Sequence, residues 1–106
     1  MKSVSILISN LNSFEAIQLC VESVRKHTKY PDYKIIVYDD TSWNKVDLAY
    51  LRIARNQGWL KLIEGETRVG HGGSVNALLE ACNTDLAMIL DTIHCCPIDH
   101  IFVVTQ

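Results

Sequence analysis

The segment Lys34-Ile35-Ile36-Val37-Tyr38 is apolar from end to end after its first residue, shows no polar alternation, and stops abruptly at Asp39-Asp40-Thr41-Ser42. A strand with one wet face alternates, whereas an unbroken apolar run of this length fits a strand buried on both faces, as in a parallel sheet covered by helices. In open α/β sheets, ligands bind just beyond the carboxyl ends of the strands. Asp39 and Asp40 stand at that edge and are the first candidate ligand-reading groups.

The rest of the chain supplies the layers such a strand needs. Ser3 to Ser9 reads as a first strand. Asn12 followed by Glu15 is a capping-box arrangement, and Ile17, Cys20, Val21 and Val24 fall at the spacing of a helix with one buried face. Arg25, Lys26 and His27 come in its last turn, where positive charge suits the helix dipole, and Pro31 ends any continuation. A second helix is expected from about Val46 to Asn56, with Leu48, Leu51 and Ala54 inward and Gly58 near its end. Leu60 to Ile63 is a short third strand. A glycine-rich loop, Gly70-His71-Gly72-Gly73, then leads into a third helix with Val75, Leu78, Leu79 and Cys82 on its inner side. Leu86 to Leu90 is a fourth apolar strand and also ends in a carboxylate, Asp91; Ile101 to Val104 offers a fifth. The order β-α-β-α-β-α-β, with long crossovers, predicts one three-layer α/β/α, Rossmann-like domain with a mostly parallel sheet of four to five strands.

Bulk properties narrow the function. The 106 residues make one domain, and the formal net charge of −2 comes from scattered rather than massed cations, which argues against nucleic acid or a membrane surface as partner. No apolar run approaches the roughly 18 residues of a membrane helix, and the N-terminal apolar run is too short for a signal peptide. Cys20, Cys82, Cys95 and Cys96 match no disulfide or zinc spacing, so reduced thiols and a cytoplasmic location are expected.

Five ordered segments resemble the family 2 glycosyltransferases, which have the GT-A fold. Val4 to Asn12 is similar to the family's opening strand and turn, and Cys20-Val21-Glu22-Ser23-Val24 to a segment of its first helix. Ile36-Val37-Tyr38-Asp39-Asp40-Thr41-Ser42 resembles the Val-Asp-Asp-Gly-Ser motif; Gly70 and Asn76 keep the spacing of the Asn-x-Gly…Asn stretch; Ala87 to Asp91 resembles the strand entering the Asp-x-Asp motif. The resemblance implies a nucleoside-diphosphate sugar as partner and Mn2+ or Mg2+ as cofactor. It implies Ser9 and Leu11 lining the nucleoside, Asp40 contacting the base with Asp39 fixing the loop, and Asp91 beside the ribose and metal-bound diphosphate. A carboxylate suits those tasks, accepting hydrogen bonds from a base edge or hydroxyls and sharing a hard cation with a diphosphate.

The departures are equally specific. Ile93 stands where the second metal-binding acid belongs, and Leu11 where an aromatic ring would stack on the base. The chain ends where the acceptor-binding half of the family begins, so no residue is assigned as catalytic base. The expectation is therefore a glycosyltransferase-like donor-binding domain, truncated and incomplete as a catalyst alone. The alternative is a non-catalytic binding or assembly module that keeps the fold without the chemistry. A sheet cut short leaves an unpaired edge, which predicts a homo-oligomer, with Ile101 to Val104 pairing or swapping across a dimer, or a completing chain.

Other motifs have plainer readings. Gly70-His71-Gly72-Gly73 with Asn76 reads as a solvated, phosphate-proximal loop near the donor; as a dinucleotide fingerprint it lacks the third glycine, Val75 standing there. His71, His94, Cys95, Cys96, Asp99 and His100 fit no established zinc pattern. Trp43 and Trp59 read as packing residues. A phospho-acceptor receiver domain would place its acidic pair after the first strand, where this chain has Ser9-Asn10.

Overall fold

The computed structural model describes residues 3–11, 14–27, 33–41, 45–91 and 102–105. The expectations for Asn12, Trp43, Ile93 and the stretch from His94 to Ile101 lie outside the described residues. Eight elements follow in chain order: β1 (Val4–Asn10), α1 (Phe14–His27), β2 (Tyr33–Asp39), α2 (Lys45–Asn56), β3 (Lys61–Glu64), α3 (Gly70–Ala81), β4 (Leu86–Asp91) and β5 (Phe102–Thr105). They form one sheet of order β3-β2-β1-β4-β5. The first four strands are parallel neighbours, and β5 runs antiparallel against β4 of its own chain.

The topology explains the layers. The chain steps outward from β1 to β2 to β3, then jumps back across the sheet to β4. Because such crossovers are right-handed, a reversal of direction moves the connecting helix to the other face. Accordingly, Ile17, Cys20, Val21 and Val24 of α1 and Leu51 and Ala54 of α2 share one core with Ile6, Ile8, Ile35 and Val37. Leu78 of α3 shares the other with Leu7, Ile36, Tyr38 and Ala87. Successive strand residues feed opposite cores, which is why Lys34 to Tyr38 carries no polar alternation. Phe14 and Tyr50 lock α1 to α2 edge-to-face, with ring centroids 5.8 Å apart. Trp59 packs under Arg25, whose guanidinium lies 3.9 Å from the ring centroid, in keeping with its reading as a packing residue. Among the described residues, no helix is long and apolar enough to cross a membrane.

One expectation needs correction. The glycine-rich segment is the first turn of α3 rather than a loop, since the helix begins at Gly70. The reason is a cap supplied from elsewhere in the chain, described below. Cys20 is wholly buried on α1, and Cys82 is a free thiol. At the amino edge of the sheet Ser5 and Thr84 share a 2.7 Å hydroxyl hydrogen bond, and the Cys82 sulfur lies 3.4 Å from the Thr84 hydroxyl. Burial pushes the Cys82 thiol up, but hydrogen bonds from Thr84 and Ser5 more than offset this and leave it below its ordinary value.

Candidate functional site

The strand order reverses between β1 and β4, a topological switch point, and in open α/β sheets the ligand crevice lies outside the carboxyl ends of the strands at such a point. In register, Ser9 lies opposite Asp91 across β1 and β4, and Asn10 opposite Asp39 across β1 and β2. Four of the expected donor residues, Ser9, Asp39, Asp40 and Asp91, thus gather at one edge of the sheet, with Leu11 following β1 directly. Gly70, His71, Gly72 and Gly73 come to the same edge because α3 starts there, while Asn76 lies further along α3 and is exposed.

Pleating decides what the two adjacent acids do, because neighbouring residues point to opposite faces. Asp39 turns toward α2 and is 1% exposed. The Asn10 amide donates to Asp39 Oδ1 at 3.0 Å and, from the same nitrogen, to Asp47 Oδ2 at 3.0 Å. Asp47 sits in the first turn of α2, where an acid suits the dipole, and is fully buried. One amide nitrogen thus ties the ends of β1 and β2 to the start of α2. Asp40 N–H also donates to Asn10 O at 2.9 Å.

Asp40 turns the other way. Its Oδ1 accepts from Val69 N–H at 2.8 Å and its Oδ2 from Gly70 N–H at 3.0 Å. The residue before α3, Val69, makes no side-chain cap, and the first turn contains no acid. Asp40 therefore satisfies the N–H groups of the residue before this helix and of its first residue, donors that a helix start leaves without intrahelical partners. With its side chain committed in this way it is only 3% exposed. The next residue, Thr41, has φ of 55°, a left-handed conformation that is unusual for a β-branched side chain. Its hydroxyl donates to Asp40 O at 2.7 Å.

Near this edge Arg52 of α2 grips Glu64 at the end of β3, with Nη2 2.6 Å from Oε1 and Nε 3.3 Å from Oε2. The hydrogen bond from Arg52 holds the Glu64 carboxyl below its ordinary value. Sequence reasoning missed Asn10, Asp47 and Thr41. Asn10 and Asp47 give no sequence signal, because their partnership is purely spatial. Thr41 had one, since it stands where the resembling motif has glycine.

No group of three or more His, Cys, Asp or Glu residues among the described residues is placed to hold a metal ion. A separate cleft of about 540 Å³ opens at the opposite, amino end of the sheet between Arg25, Tyr33, Trp59 and Lys61, and its lining includes none of these acids.

Sequence and structural comparison settle the family. The model of "Glycosyl transferase family 2" matches residues 5–102. The chain belongs to that family. No curated protein matches it. Among solved structures, it resembles TarS 1-349 of S. aureus, at 25% identity and a TM-score of 0.74, over 85% of this chain and 27% of that one. The same protein in complex with UDP-GlcNAc aligns at 25% identity and 0.75, over 85% of this chain and 26% of that one. The mannosyltransferase PcManGT from Pyrobaculum calidifontis, solved with GDP-Man and Mn2+, aligns at 20% identity and 0.74, over 86% of this chain and 27% of that one; at that identity the likeness shows the fold alone. The chain thus spans about a quarter of the length of the structures it matches, and the GT-A fold is established for it.

Proposed function

We propose that this family 2 glycosyltransferase chain binds a nucleoside-diphosphate sugar at the crevice between β1 and β4 and serves as the donor half of a glycosyl-transferring enzyme. The observation that carries the reading is the convergence of Asp39, Asp40 and the β4 terminus at Asp91 on one switch-point edge, held by the Asn10 bridge. The structures of relatives with UDP-GlcNAc and UDP support it. Ser9 and Leu11 line the nucleoside, Asp40 accepts from the base edge, and Asp39 keeps the turn in place. Asp91 faces the ribose and diphosphate. Gly70, His71, Gly72, Gly73 and Asn76 lie on the diphosphate side.

In this proposal Mn2+ or Mg2+ arrives with the donor diphosphate, as Mn2+ accompanies GDP-Man in PcManGT. Asp91 supplies one carboxylate, and the apolar Ile93 supplies none. The cation would spread the negative charge of the leaving diphosphate. The acceptor and the base that deprotonates it belong to a part not identified in this chain, whether a homo-oligomer, here a dimer, or a completing chain. A cytoplasmic location belongs to the same proposal.

A second reading, a binding or assembly module without catalysis, is favoured by Ile93 alone. Calorimetric titration with UDP and with GDP, each with and without Mn2+, separates the two on wild type, Asp40→Ala and Asp91→Asn. The donor reading expects binding of one nucleotide, strengthened by Mn2+ and weakened in both variants. Absence of binding to either nucleotide by folded wild type sinks it and leaves the module.

A further inference from the structure

We infer that Glu66–Gly70 and the glycine-rich first turn of α3 cover Asp40, and that the stiffness of this turn sets donor affinity because the nucleotide must lift it. The inference rests on the donor reading above.

The starting point is a conflict between role and geometry. To read a base edge, the Asp40 carboxylate must lie about 2.7–3.2 Å from a donor on the base. Its side chain is 3% exposed, and each of its oxygens already faces a backbone N–H, one from Val69 and one from Gly70. For a base to enter, either the acid or the cover must move.

The acid is the fixed partner. It directly follows β2, its N–H is tied to Asn10 O, and the turn beneath it is anchored through Asn10 to Asp39 and Asp47. The cover is the yielding one. All residues from Glu66 to Gly70 are exposed, so moving them uncovers no core. Gly70 has φ of 77° and joins the helix through a left-handed residue. Gly73 lets Val69 fold back over the turn, since a Cβ there would sit 2.6 Å from Val69 Cβ. Glycine loses more conformational freedom than any other residue when held in a helix. A first turn with three glycines, no acid and no side-chain cap of its own depends on Asp40 to stay wound. Local opening of such low-stability elements is the ordinary route by which binding segments move.

Gly72 allows a test that adds no contact within the free protein. A Cβ added there meets no protein atom within 4 Å, so Gly72→Ala stiffens the helical turn, and the amide exchange of the free protein reports that stiffening apart from any contact with the donor. We expect Gly72→Ala to unfold at a higher temperature, to exchange its Val69 and Gly70 amides more slowly in the free protein, and to bind UDP about five-fold more weakly. That factor corresponds to the alanine–glycine difference in helix propensity. Saturating UDP should in turn speed exchange at Val69 and Gly70 in wild type.

UDP binding by Gly72→Ala as tight as wild type overturns the cover while leaving the donor site standing. So does protection at Val69 and Gly70 that survives UDP saturation. If wild type binds neither UDP nor GDP, the donor reading falls and takes the cover with it.

Discussion

Thr41 offers a measurement in which ordinary intuition about glycine gives the wrong sign. Its φ of 55° places a β-branched residue in the left-handed region directly after the Asp39–Asp40 turn. A Cβ in that conformation costs about 1–2 kcal/mol through its clash with the following carbonyl. Comparing Thr41→Gly with Thr41→Ala isolates this cost, because both variants lose the hydroxyl that donates to Asp40 O. Only alanine keeps a Cβ. Against this, glycine gives the unfolded chain more freedom, worth about 0.4–1 kcal/mol in favour of alanine. The difference leaves Thr41→Gly more stable than Thr41→Ala by about 0.5–1 kcal/mol. For a domain of this size, 1 kcal/mol moves the thermal midpoint by about 4–8 °C. Urea melts with a common m-value, checked by thermal unfolding, provide the assay. If Thr41→Ala equals or exceeds Thr41→Gly in stability, the turn is not left-handed at residue 41 and the strain argument fails.

Two further outcomes follow from the same edge of the sheet. Asn10→Ala removes the one amide that serves both Asp39 and Asp47, leaving buried carboxylates short of a donor; we expect a loss of about 2–4 kcal/mol in urea melts, and a loss below 1 kcal/mol would show the bridge to be unimportant. Glu64 has a folded-state carboxyl below its ordinary value of 4.5 because of Arg52. The ion pair therefore contributes stability above that value and loses it as pH falls through the folded-state value. The pair is partly exposed, with side-chain exposures of 52% and 35%, so solvent screens it and its contribution is small. Wild type should be slightly more stable than Glu64→Gln at neutral pH, and the difference should vanish as pH falls below the folded-state value of Glu64. A gap that persists unchanged in acid would contradict the assignment.

Much of the fold was legible because burial writes itself into local pattern. The unbroken run before Asp39 announced a strand buried on both faces, and both of its faces are covered. The spacing of Ile17, Cys20, Val21 and Val24 announced α1, and all four are buried. Gly58 ends α2 with φ of 80°, as its position suggested. The glycine-rich turn was misread because its cap is a carboxylate some thirty residues earlier in the chain. Local propensity disfavoured a helix at three glycines, and a long-range hydrogen bond outweighed it.

The layers, the strands and the acids at strand ends can be read along the chain, since they follow from periodicities of two and 3.6 residues. The sequence also carried the family resemblance that the family match over residues 5–102 bears out. How two neighbouring acids divide their work emerges once the sheet and its helices are assembled. The pleat sends Asp39 to Asn10 and Asp47 beneath α2, and Asp40 to the start of α3. Nothing in the string Asp-Asp distinguishes its members. The difference arises because each side of the sheet carries a different helix, and that follows from where the chain reverses direction between β3 and β4.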